Sequence, residues 1–187
     1  MVDLLAKIVS YPISIPFRLQ CKNIGKSFLI GPGYSFWKCN LGNVTIGDCV
    51  QIGSRAWIQT VPLPGQPKPT ISIGDNSSLG RNVTISAAKK ISIGKNCMIS
   101  YNASILDHNH AFENVDLPPL LQGIDKPEGI EISDDCFLGA HSFILKGVTL
   151  GKHCVVGANS VVTSSFPPFS VVVGSPAKKI RSLKNIQ

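Results

Sequence analysis

Charge is scarce in this chain. Only 16% of its 187 residues are Asp, Glu, Lys or Arg, and acidic residues number 11 against 18 basic ones. So little charge beside 43% hydrophobic residues and 17 Gly excludes a disordered tail and describes one folded domain with many tight backbone positions. Aromatic residues are also few, at 7%, and they do not interleave with the basic ones, which argues against stacking on nucleic-acid bases. The net charge of +7 then suits an acidic membrane surface or a small polyanion such as a nucleotide phosphate. No long hydrophobic run is present. The most apolar stretch, MVDLLAKIVSYPISIPF at residues 1–17, is interrupted by Asp3, Lys7, Pro12 and Pro16. It falls short of the roughly 20 residues a membrane span needs, and it has neither the basic start nor the small-residue cleavage site of a signal peptide. It reads as a short amphipathic helix, with Leu4, Leu5 and Ile8 on one face, that caps the core; peripheral membrane contact through residues 1–17 is the alternative. Without an export signal the six cysteines are expected to be reduced, and none forms a CxxC pair, so no zinc knuckle is expected.

What the chain does have is a period of six. Stepping by six from Ile132 meets Leu138, Ile144, Leu150, Val156 and Val162 without a miss. Ile, Leu and Val make up 51 of the 187 residues, so the odds of six in a fixed frame are on the order of one in a few thousand. The same step links Ile93, Ile99 and Ile105, then Ile73, Leu79 and Ile85, then Ile46, Ile52 and Ile58. Gly often follows the aliphatic residue, and a small or modest side chain stands four places after it, as at Val50, Ala56, Ser77, Val83, Cys97, Ala103, Cys136, Ser142, Val148, Cys154 and Ser160. This pattern predicts an all-β solenoid, a parallel β-helix in which three short strands make one triangular coil and each coil buries its apolar face on the next. Cys97, Cys136 and Cys154 then share one inward slot as small buried hydrophobes.

With the coil sides labelled A, B and C, and A beginning at Ile46, Ile73, Ile93, Ile132 and Leu150, the frame breaks three times, always at the corner from C to A. Insertions collected on one edge of a solenoid mark its functional face. The substantial ones are residues 64–72 and the loop 111–131, and the side-C segment ILDHNH runs straight into the latter. Two of the chain's four histidines stand there. Strand alternation with Ile105 inward and Asn109 in the inward small-residue slot sends His108 and His110 outward together. An outward imidazole at the mouth of a loop is suited to general-base work, because its ordinary pKa near 6.5 lets it accept a proton at neutral pH. Asp107, of the opposite parity, is placed to orient one of the rings. His141 and His153 fall outward on later coils.

Residues from about 70 to 181 resemble the hexapeptide-repeat acyltransferases, most of all the maltose/galactoside O-acetyltransferase and xenobiotic acetyltransferase branch and its relatives in polysaccharide biosynthesis. The stretch IEISDDCFLGAHSFILKGVTLGKHCVVGANSVVTSSFPPFSVVVGSPAKKIR carries the resemblance. It implies a left-handed β-helix, against the usual right-handed crossover rule, and a cytoplasmic homotrimer with acetyl-CoA along the coils and active sites between subunits. The reaction implied is transfer of acetyl to a sugar hydroxyl of a free or lipid-linked saccharide, in cell-surface polysaccharide synthesis, with an amino-sugar nitrogen or an antibiotic as the alternative acceptor. The resemblance puts the catalytic base at His110, with His108 the second candidate and Asp107 a helper. It carries the CoA contacts onto Gly139, Ala140, Gly157, Ala158, Thr163, Ser164, Lys178 and Arg181, the last two forming a cationic end for phosphate. Asn109, Phe137, where the family often has Trp, and His141 are the expected acceptor-side residues. No metal is implied, and direct transfer is expected because no Cys or Ser is placed as an activated nucleophile beside the histidine.

The implied organisation is a cap and irregular first coil over 1–45, the β-helix over 46–167 and a basic segment over 168–187 that completes the CoA site. Pro167–Pro168 is expected to hold a cis bond. The segment 31–40, GPGYSFWKCN, is expected to belong to the first coil. One rival on the same fold is a zinc carbonic anhydrase using His108, His110 and His141, and a second is a non-catalytic scaffold.

Overall fold

A computed structural model of the chain describes residues 12–15, 17–19, 21, 23–34 and 41–183. Its strands form three sheets, and the chain visits them in rotation. Side A stacks Asn23–Ile24, Val44–Ile46, Thr70–Ile73, Lys90–Ile93, Ile130–Ile132 and Thr149–Leu150; side C stacks Trp57–Thr60, Thr84–Ala87, Ser104–Leu106, Phe143–Ile144 and Val161–Val162. Side B runs from Leu29–Ile30 through Gln51–Ile52, Ser78–Leu79, Met98–Ile99, Phe137–Leu138 and Val155–Val156 to a closing hairpin. Every pairing between successive coils is parallel and in register, so Ile46, Ile73, Ile93, Ile132 and Leu150 lie above one another. Each aliphatic residue of the six-residue frame, from Ile46 to Val162, is buried. The small residues four places later are buried too. The sheet thus has one dry face because alternate residues point inward, and the core is a column of Ile, Leu and Val along the axis.

The coil turns at residues in the left-handed region, among them Asn76, Asn82, Asn96, Asn102, His141, His153 and Asn159, with φ between 54° and 61°. Asn tolerates this conformation because its short side chain bonds locally. Asn82 donates to Asn102 and Asn102 to the His141 ring, so one corner carries a side-chain ladder. His141 and His153 therefore have structural work as corner residues. Glycine is required just before such corners, where coils approach most closely: a Cβ at Gly74 would lie 2.6 Å from the Gly94 carbonyl carbon, and one at Gly139 2.5 Å from the Ala158 nitrogen.

Cys97, Cys136 and Cys154 occupy one buried column, all as free thiols. Each Sγ donates to a backbone carbonyl of the coil above: Ser133 at 3.2 Å, Gly151 at 3.3 Å and Pro167 at 3.2 Å. Hydrogen bonding with the Cys154 and Cys97 thiols, and then burial, pushes the Cys136 thiol pKa up and keeps it protonated. These cysteines thus give corner carbonyls a donor, and Pro167 O also accepts the Ser170 hydroxyl at 2.7 Å.

Both ends are covered. Residues 12–15 and 17–19 are helical. Phe17 is buried against Phe28, with ring centroids 5.4 Å apart, and closes the first coil. The helix expected around Leu4, Leu5 and Ile8, with the membrane contact assigned to residues 1–17 as far as residue 11, lies outside the described residues, as do 35–40 of the expected first coil. Coiling is under way by Asn23–Ile24, which pairs with Thr45–Ile46. At the other end Ser170–Gly174 folds back on Ala177–Ser182 as an antiparallel hairpin. The cis peptide bond lies at Ser175–Pro176 and not at the expected Pro167–Pro168: the tight reversal falls in the hairpin turn. Among the described residues no helix is long and apolar enough to cross a membrane.

Candidate active site

The described side-C strands of the early coils do not stop where the six-residue frame ends. Thr60, Ala87 and Asp107 stand two residues beyond inward Ile58, Ile85 and Ile105, and all three are buried. Alternation simply runs on, because the C-to-A corner has been opened by the insertions. This corrects one expectation: Asn109 is exposed, and Asp107 is the inward residue. In the unbroken later coil Val148 does take the slot four places after Ile144.

A carboxylate at 0% exposure must be compensated by donors, and Asp107 has four. Its Oδ1 accepts the Ala88 N–H at 2.6 Å and faces His108 Nδ1 at 2.9 Å; its Oδ2 accepts the N–H groups of Lys89 and Lys90, each at 2.8 Å. Carboxylate oxygens only accept, so Nδ1 of His108 carries a proton, and the lone pair of the neutral tautomer this selects is on Nε2. The ring is 12% exposed. It lines a cleft of about 640 Å³ with Trp57, Gln59, Thr84, Ser86, Leu106, Asn109, His110 and Phe112. Gln59 Nε2 donates to Ser86 Oγ in the cleft wall.

His110 and Asn109 share this cleft, but both are exposed. The main chain of His110 forms an antiparallel bridge with Ile124 of the long loop. The loop holds itself together: Gln122 Oε1 accepts the Asn114 N–H, while its Nε2 donates to the carbonyls of Asn114 and Leu117. It nevertheless shows water Val115 at 94% and Leu120 at 87% exposure.

The other expected site residues are spread over the last coils. Gly139–Ala140 and Gly157–Ala158 stack at the B-to-C corner, Thr163 and Ser164 follow the last side-C strand, and Lys178 and Arg181 lie on the hairpin strand closing side B. Phe137 faces outward on side B, and His141 is tied to Asn102 and packs edge-on to Tyr101. Within one chain neither reaches the His108 cleft. The three histidines needed by a zinc site are not brought together, and among the described residues no group of three His, Cys, Asp or Glu is placed to hold a metal. Ser86 and Gln59 of the cleft were missed by sequence reasoning; their signal was the outward parity beside Ile85 and Ile58.

The family model for the hexapeptide repeat of succinyl-transferase matches residues 70–106 and 129–164. Over these two segments the chain is similar to the hexapeptide-repeat family. Its match stops at Leu106 and resumes at Gly129, so the interval that carries Asp107, His108 and the long loop lies outside the repeat itself. A probable acetyltransferase of Mycobacterium tuberculosis is 31% identical over 142 residues, 76% of this chain and 45% of that protein. A putative lipopolysaccharide biosynthesis O-acetyl transferase of Escherichia coli is 33% identical over 118 residues, 59% of this chain and 60% of that one. The chain thus spans about half the length of these curated relatives. A hexapeptide-repeat acetyltransferase of Vibrio cholerae, solved with acetyl coenzyme A, superposes with a TM-score of 0.64 at 25% identity, covering 99% of this chain and 80% of that one.

Proposed function

We propose that the chain is an acetyl-CoA-dependent O-acetyltransferase whose acceptor is a saccharide hydroxyl, with lipid-linked cell-surface polysaccharide precursors as the acceptor class. The observation that carries this reading is the His108 ring, held by a buried carboxylate at an open cleft under the long loop. An imidazole so fixed has one task available to it: Nε2 takes the proton from an acceptor hydroxyl as the oxygen attacks the thioester carbonyl. The C–S bond then breaks, the acetyl group stays on the acceptor oxygen, and the CoA thiolate receives the proton back from Nε2. The resemblance put the base at His110; the geometry favours His108, since His110 is exposed and among the described residues no carboxylate orients its ring.

In this reading the coils wind left-handed, residues 46–167 carry the catalytic β-helix, and 168–187 complete the donor site. Gly139, Ala140, Gly157 and Ala158 present little side chain to a pantetheine arm, Thr163 and Ser164 continue the path, and Lys178 and Arg181 receive the phosphates. A homotrimer with sites between subunits is supported by the loop: Val115, Leu120 and Leu121 are too apolar to be left in water, and a neighbouring copy would cover them. That neighbour would also bring an outward side B, with Phe137, towards the cleft. The likeness to the Escherichia coli O-acetyl transferase supports the hydroxyl acceptor over an amine.

The test is free-thiol release from acetyl-CoA in the presence of an acceptor panel. Release driven by saccharide hydroxyls is the expected result. Release driven only by amino sugars would move the chemistry to nitrogen, and no thioester binding by calorimetry would leave a scaffold.

A further inference from the structure

The two inserted loops also face each other across a second cleft of about 770 Å³, separate from the one that His108 lines. Segment 107–110 stands between the two. It is bonded to the loop through Glu128 N–H to the Asp107 carbonyl at 2.9 Å and Asp125 N–H to the Asn109 carbonyl at 3.0 Å. Asp107 also grips the N–H groups of Ala88 and Lys89, which line the second cleft. The carboxylate that orients the imidazole thus also holds the backbone lining this cleft.

The chemistry of the lining is uneven. Leu63, Pro64, Pro67, Ile124 and Pro127 make apolar walls. Among the described residues the lining has no aromatic ring, and Gln66 is its only uncharged polar side chain, so these residues offer a sugar neither a stacking platform nor a set of hydrogen bonds. Two cations, Lys89 and Lys126, complete it, and neither ammonium is in an ion pair among the described residues. The one acid present, Asp125, is already taken: the Lys146 ammonium and then the Lys126 N–H hold its carboxyl below the ordinary value. Apolar walls with two unpaired cations complement an amphiphile with an anionic head.

We propose that this cleft binds an apolar chain ending in a phosphate, the chain lying between the loops and the phosphate between Lys89 and Lys126. The inference deepens the acyl-transfer reading and rests on it for its purpose: a saccharide attached to such an anchor would be held beside His108 without the cleft contacting the sugar.

The test reads binding alone, with the full chain and no acyl donor, so its failure and that of acyl transfer are distinguishable. Farnesyl phosphate, titrated below its micelle concentration, is expected to bind, with Lys89→Ala and Lys126→Ala each weakening it about tenfold. Both lysines are exposed, so the variants should fold, and unchanged thermal unfolding checks this. Farnesol and inorganic phosphate, each carrying half of the ligand, should bind at least about a hundredfold more weakly. Equal binding of inorganic phosphate, equal binding of farnesol, or farnesyl phosphate affinity indifferent to both lysines would each overturn the assignment. Leu63→Gln separates wall from rim: it should weaken farnesyl phosphate and leave inorganic phosphate unaffected.

Discussion

His108→Ala is expected to lower acetyl-transfer turnover by about 10²–10⁴-fold, the usual worth of a positioned general base. Acetyl-CoA binding should be nearly unchanged, because the ring is not among the groups assigned to the donor. The loss should therefore fall on turnover and not on the Michaelis constant for acetyl-CoA. His110→Ala is the paired control: an exposed ring without a carboxylate partner should cost less than about tenfold. The comparison is sharp because the two side chains share one cleft, so a difference between the variants reports ring orientation and not location. The reverse outcome, full activity in His108→Ala and a large loss in His110→Ala, would return the role to the position that the family resemblance indicated.

Asp107→Asn is expected to damage both activity and fold. The carboxyl accepts three backbone N–H groups and the His108 Nδ1–H, whereas an amide has one acceptor oxygen and one donor nitrogen. Whichever way the amide turns, its NH₂ faces a donor. If it faces His108, the ring must switch to the other tautomer and Nε2 loses its lone pair to a proton. If it faces the turn at 89–90, two N–H groups at a buried site lose their acceptor. The stability cost of breaking such a buried charged network is about 3 kcal/mol, and at about 2–4 °C per kcal/mol for a chain of this size the melting temperature should fall by roughly 10 °C. Turnover at a temperature where the variant is folded should still fall by at least about a hundredfold, following the ring. A variant that melts lower yet keeps wild-type turnover would make Asp107 a structural clamp only.

The sequence period carried most of the architecture, because in a coil the same physical demand recurs every six residues. Ile132 to Val162 needed only to be recognised as one inward column, and the three sides, their register and the cysteine column followed. The site was legible up to the point where the period breaks. Counting inward slots by sixes placed Asn109 inside, whereas plain strand alternation, already visible in Ile58 to Thr60 and Ile85 to Ala87, continues past the opened corner and buries Asp107. The two rules agree wherever the corner is tight and part only where it is open. His141, outward by parity, was expected on the acceptor side, but it stands at a left-handed corner and is bonded to Asn102, and parity alone does not distinguish corners from faces. The clefts between the loops depend on contacts between segments some 60 residues apart, such as Leu63 and Ile124, for which no local pattern exists.

The most direct measurement is a crystal structure with CoA and a saccharide acceptor bound. The expected result is an acceptor oxygen within hydrogen-bond reach of His108 Nε2, roughly 2.6–3.2 Å, with Nδ1 still on Asp107 and the CoA thiol at the same edge of side C. An acceptor oxygen placed against His110, or a thiol lying along another edge of the coil, would contradict it.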